Sequence, residues 1–171
     1  MKKQILIAVF ALLVFSSCQK SGTQLFRGDY SFKTSGSVTM DEIVPEGETY
    51  EPASYTVSLP NEIGQLEIKA LGKEKEKDSL LVVMNTMGGE VVVTHAFCKD
   101  NEIFLKDFTK NSLIFSGDSI ILKNELHVKA SGQMYEDNTL VLNMIYDGEA
   151  KTSGRDFKIY GDNIRMAAIR N

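Results

Sequence analysis

The stretch "ELHVKASGQMYEDNTLVLNMIY", residues 125–146, decides the fold. Its apolar residues Leu126, Val128, Ala130 and Met134 alternate with His127, Lys129, Ser131 and Gln133. After the turn-forming "EDN" at 136–138, Leu140, Leu142, Met144 and Tyr146 again share one side. Successive side chains of a strand point to opposite faces, so a period of two marks strands buried on one side only. Two such strands joined by a short polar link predict an antiparallel hairpin.

The same pattern extends outward in both directions. "DYSFKTSGSVTM" at 29–40 sets Tyr30, Phe32, Thr34, Gly36, Val38 and Met40 against Ser31, Lys33, Ser35, Ser37 and Thr39. "PNEIG" at 60–64 divides "ASYTVSL" from "QLEIKAL", and "GKEKEKD" at 72–78 reads as a solvated hairpin tip before "SLLVVMNTM". "GG" at 88–89 precedes "EVVVTHAFC", "KDN" at 99–101 precedes "EIFLKDF", and "SGD" at 116–118 splits "SLIF" from "SIILK". "RDFKIYG" and "NIRMAAI" read as two final strands. No window of 12 or more residues carries a helical stripe. The links are too short for the crossovers that parallel strands need. The expectation is an all-β protein, an antiparallel up-and-down β-barrel of about 8–10 strands, since closure removes exposed strand edges. One longer link, "DEIVPEGETYEPA" at 41–53, has five acids, no bases and two prolines, and reads as a mobile loop at the barrel mouth.

The chain opens with Lys2 and Lys3, then 11 consecutive apolar residues from Ile5 to Phe15. A bilayer core about 30 Å thick needs about 20 helical residues, so this run suits the core of a signal peptide instead. Phe15-Ser16-Ser17-Cys18 resembles a bacterial lipobox, with Phe15 where leucine is more usual. That resemblance implies cleavage before Cys18 and lipid attachment to its sulfur; the alternative is an ordinary signal peptide with an incidental cysteine. Several acyl chains make an anchor stable, because burial gains about 0.8 kcal/mol per methylene. The expected organisation is a lipoprotein signal peptide at 1–17, a lipidated tether at 18–26 and a barrel domain at 27–171. No aspartate adjoins Cys18 and the first acid is Asp29. By similarity to lipoprotein sorting signals, this implies the outer membrane and its periplasmic face.

The lipobox, short tether, opening "GDYSFKTSG" and late "SGQMYEDNTLVLNMIY" hairpin resemble small calycin-like (lipocalin-like) β-barrel lipoproteins of Gram-negative bacteria. In lipocalins a Gly-x-Trp opens the first strand and a basic residue of the last strand packs over the Trp. Gly28-Asp29-Tyr30 stands at the matching place, with Arg165 or Arg170 for the basic part, but the chain has no Trp. The resemblance implies a barrel with a ligand cavity.

Composition narrows the function. Without residues 1–17 the domain has 154 residues, enough for one substantial core, with 17 basic and 23 acidic residues and a net charge of −6. A mildly acidic domain without a basic stripe predicts no nucleic-acid partner. With Cys18 carrying lipid, Cys98 is the other cysteine and reads as a small buried hydrophobe. Two histidines and no ligand-spaced cluster predict no metal and no cofactor. His95 and Cys98 are three apart on one strand and face opposite ways, which opposes a catalytic dyad. His95 shares a face with Val91, Val93 and Phe97 and reads as a core or barrel-mouth residue. Gly-x-Ser-x-Gly and phosphate-cradling glycine loops are missing.

An eight-stranded barrel has room for side chains or one small ligand. Tyr30, Phe32, Met84, Met134, Met144 and Tyr146 are the candidate ligand-binding residues, and their alternative role is core filling. The leading expectation is a non-enzymatic, outer-membrane lipoprotein holding a small apolar or amphipathic ligand. The second is a protein-interaction module, an envelope-complex subunit or inhibitor, with a filled barrel. A hydrolase with dispersed residues is the third. The expected partners are the membrane, through Cys18, and a small hydrophobic ligand or an envelope protein.

Overall fold

The computed structural model describes residues 22–71, 79–113 and 120–171. The expected signal peptide, Cys18, and the segments "GKEKEKD" and "SGD" expected to form a hairpin tip and a turn lie outside the described residues. Nine strands are described: β1 (Gly28–Glu42), β2 (Ser54–Ala70), β3 (Ser79–Thr86), β4 (Val91–Lys99), β5 (Glu102–Lys110), β6 (Ile121–Leu122), β7 (Leu126–Met134), β8 (Thr139–Thr152) and β9 (Arg155–Arg170). One helical turn, α1 (Thr23–Phe26), precedes them.

Every pairing is antiparallel, and the order runs β8-β7-β5-β4-β3-β2-β1-β9 with β9 returning to β8. The sheet is therefore a closed, eight-stranded up-and-down barrel, with β6 as an extra strand on the far end of β8. Residues expected on one face of β1 and of the β7–β8 hairpin do face inward and are buried, Gly36 excepted at the half-buried level. Each fully buried large apolar side chain contributes about 1.5–3 kcal/mol.

Two expected turns are bulges inside long strands. Thr34 pairs with Glu62 and Gly36 with Leu59, so Pro60 and Asn61 stand opposite Ser35 alone. Met144 pairs with Ile164 and Tyr146 with Gly161, so Asp162 and Asn163 stand opposite Ile145. A bulge bends a strand and frees a residue from the ladder, which suits a proline without an N–H and a turn-like Gly-Asp-Asn. Each bulge also switches the inward parity. Gly64, Leu66 and Ile68 are buried below the β2 bulge, whereas Val57 and Leu59 pack on the core above it. In β9, Phe157 and Ile159 precede the switch and Ile164, Met166 and Ala168 follow it. Gly36 makes this possible: its φ is +152°, and a Cβ there would lie 2.5 Å from the Asn163 carbonyl oxygen.

Strands β1, β2, β8 and β9 have 14–17 residues, while β3, β4, β5 and β7 have 8 or 9. One wall of the barrel is thus tall and the other low. The lower end is closed by α1, whose Phe26 is fully buried. Residues 23–26, expected at the end of the tether, are therefore packed on the barrel.

Candidate functional site

Three places gather polar or accessible groups on this frame: the inner rim of the low wall, the loop above the tall wall, and the outer face.

The six candidate ligand residues all point into the barrel. Tyr30, Phe32, Met84, Met134, Met144 and Tyr146 are between 0 and 7% exposed and belong to one core. Tyr30 lies at the lower end, where its hydroxyl donates to the Phe26 carbonyl at 2.6 Å and accepts from Arg170 Nη2 at 2.7 Å. Arg170 also covers the Tyr30 ring and donates to the Leu25 carbonyl. Burial pushes the Tyr30 phenol above its ordinary range, and the Arg170 hydrogen bond and charge oppose that. Of the two arginines considered for this place, Arg170 occupies it and Arg165 is exposed on the outside.

The inner rim holds charges that alternation did not reveal. In β5, Lys106 and Asp107 bulge opposite Lys129, and this turns Phe108 and Lys110 inward. Lys110 reaches across to Glu62 of β2, Nζ to Oε2 at 2.6 Å, and lies 3.8 Å from Glu90. The Lys110 side chain is 6% exposed and that of Glu62 16%. Glu90 also accepts from the Asn111 backbone N–H at 2.5 Å and the Ser112 hydroxyl at 2.9 Å, tying the chain after β5 to the β3–β4 hairpin. From the opposite wall, the Tyr146 phenol is pushed far above its ordinary range by burial, with the Glu62 and Glu90 charges adding to it. It therefore stays neutral. Thr34, the cross-strand partner of Glu62, has a buried hydroxyl without a hydrogen-bond partner.

The acidic loop is pinned at Glu42, against its expected mobility. The Glu42 carboxylate accepts from the Ala53 N–H at 3.0 Å and the Tyr50 hydroxyl at 2.9 Å, with Arg155 Nη1 at 3.3 Å. These donors, the Ala53 N–H first, hold its carboxyl below the ordinary carboxylate range. A cleft of about 480 Å³ lies beside the loop, lined by Ile43, Tyr50, Lys151, Arg155 and Asp156 among others.

The outer face carries an exposed apolar row and two adjoining clefts. On β4, Val91 and Val93 are each 60% exposed and Phe97 55%. Half-buried Leu81 and Val83 of β3 flank them, and Phe97 stacks on Phe104 of β5 at 4.9 Å. His95 sits in this exposed row, so it is neither a core nor a mouth residue. Cys98 is on the buried face of the same strand, which separates the two as the alternation requires. Beyond Phe104, two adjoining clefts of about 620 and 210 Å³ run over β5, β7 and β8 to Arg165 of β9; Gln133, Tyr135 and Val141 line both. Met134 alone of the six candidate ligand residues lines a described cleft.

Among the described residues no group of three or more His, Cys, Asp or Glu could hold a metal. The fold defines the class: a closed antiparallel eight-stranded barrel with one extra strand, of calycin-like architecture. No protein-family model matches the sequence, and no curated protein is similar to it at a significant level.

Proposed function

We propose that the chain is a non-enzymatic lipoprotein, anchored through lipid on Cys18 to the periplasmic face of the outer membrane, that acts as a protein-interaction module. The observation that carries the interaction reading is the outward apolar row Val91, Val93 and Phe97, bordered by Leu81, Val83 and Phe104. Folded monomers seldom leave such side chains contiguous and open to water unless a partner covers them. The near-complete burial of the inner residues supports a filled barrel serving as a scaffold. A photo-crosslinking residue placed at Val93 or Phe97 in intact envelopes should trap a discrete partner, and one at Lys158, on the opposite wall, should not. Equal trapping at all three positions, or none, would remove this reading. The anchor is tested by Cys18→Ala, which should abolish acylation and release or stall the protein; a variant that still fractionates with membrane speaks against the lipobox.

One observation favours a second reading, carriage of a small apolar or amphipathic ligand in the lumen. The Thr34 hydroxyl is buried and unpartnered beside the Lys110–Glu62 pair, so a polar group above an apolar interior lacks a partner. Native mass spectrometry with lipid extraction would show a co-purifying molecule if the lumen carries one.

A further inference from the structure

We infer that the outer face of β5, β7, β8 and β9 is a binding groove for a neutral oligosaccharide. The observation is a transverse row set by the strand register. Phe104 of β5 pairs with Ser131 of β7, Ser131 with Asn143 of β8, and Asn143 with Arg165 of β9. All four side chains point outward from the barrel. Neighbouring strands are about 4.8 Å apart, so the row spans roughly 14 Å and places a different side chain at each step. It begins at an aromatic, the Phe104–Phe97 stack, and continues with a hydroxyl, an amide and a guanidinium.

These groups are available to a ligand. Ser131, Asn143 and Arg165 make no side-chain hydrogen bond or ion pair with a described residue, although the adjoining clefts of about 620 and 210 Å³ pass over them. Tyr135 stands between the two clefts, half out of the surface, with its hydroxyl accepting from Gln133 Nε2 at 2.7 Å. Gly132 also lines the smaller cleft, its backbone packed so closely on β8 that an added Cβ would clash with the Val141 carbonyl oxygen.

The chemistry selects the ligand class. A sugar ring offers an apolar C–H face to an aromatic and a rim of hydroxyls that both donate and accept. Asn, Ser, Gln and Tyr side chains do the same, and Arg adds donors. A polyanion is disfavoured, because Glu102, Glu136 and Asp137 line the clefts against the one cation, Arg165. An apolar ligand would leave the amide and hydroxyl row without partners. A chain of neutral sugars uses both the aromatic side chains, Phe104 and Tyr135, and the polar row.

Saturation-transfer NMR on the full chain in lipid nanodiscs, with empty nanodiscs as the blank, tests this with maltotriose, cellotriose and N-acetylchitotriose. At least one should receive magnetisation from the protein. Asn143→Ala and Tyr135→Ala should each weaken that binding about ten-fold, the effect of losing one or two hydrogen bonds or a stacking contact. Both positions are exposed, so circular dichroism should show the variants folded. Transfer to none of the three sugars, binding unchanged in both folded variants, or stronger binding of an oligothymidine than of any sugar would each overturn the inference. Phe97 and Phe104 belong to both surfaces, so the two readings are told apart at Asn143 and Tyr135, which lie outside the Val91–Phe97 row.

Discussion

Arg170 lies over the face of Tyr30, its guanidinium carbon 5.2 Å from the ring centroid, and donates to that tyrosine's own hydroxyl at 2.7 Å. The two residues are cross-strand partners on β1 and β9, so this contact sits on the seam that closes the barrel. It also holds α1 in place, through the Leu25 and Phe26 carbonyls. Replacing Arg170 with Lys keeps the charge and loses the planar, multi-donor geometry. Arg170→Lys should cost about 1–2 kcal/mol, read as a shift in urea midpoint at constant slope, from one charge-assisted hydrogen bond and a partly buried cation–π contact. An unchanged midpoint would show that the seam does not depend on the guanidinium.

The loop above the tall wall should loosen in acid. The Ala53 N–H, the Tyr50 hydroxyl and Arg155 hold the folded-state Glu42 carboxyl below the ordinary carboxylate range. A depressed carboxylate contributes stability that is full above its unfolded pKa and is lost as pH falls through the folded value. The urea midpoint should therefore decline as pH drops below the ordinary carboxylate range. Glu42→Gln should be less stable at pH 7 and show a shallower decline there. The Asp156–Lys123 pair, whose carboxyl is also held low, titrates in both proteins and leaves the difference to Glu42.

Two glycines with positive φ should respond differently to alanine. Gly36→Ala combines strain with a clash against β9 backbone and should cost about 2–4 kcal/mol. Gly47, in the loop, has φ +92° with nothing within 4 Å of an added Cβ. Gly47→Ala should cost about 1 kcal/mol, from backbone strain alone. Thermal melts of the two variants separate the cases, and equal losses would argue against close approach of β1 and β9.

The inner-rim ion pair should behave as a buried pair. Removing one partner leaves an uncompensated charge, so Lys110→Met should destabilise by roughly 3 kcal/mol. The double variant Lys110→Met/Glu62→Met should recover much of that loss, because Glu90 keeps its Asn111 and Ser112 donors. A double variant worse than the single would mean that Glu62 supports the rim through other contacts.

The barrel was legible in the sequence wherever alternation ran unbroken, as in β1 and the β7–β8 hairpin. It was misread at Pro60–Asn61 and Asp162–Asn163, where a bulge and a turn share the same residue chemistry. Local composition does not distinguish a strand that bends from one that ends; only the partner strand does. The same limit hid Lys110, which faces inward because two residues of β5 bulge. His95 was placed with apolar neighbours that happen to face water. The row Phe104, Ser131, Asn143 and Arg165 draws on four separate strands, so no sequence spacing announces it.

The pairing of β1 with β9 has a consequence for how the molecule is made. The first and last strands hold each other, so a chain stopped before Arg155 cannot close and leaves two edges open. The β1–β9 contacts join residues 115 to 140 positions apart in sequence, the kind of non-local pairing that slows folding. Without β9, the outer edges of β1 and β8 stay unpaired and open to another strand.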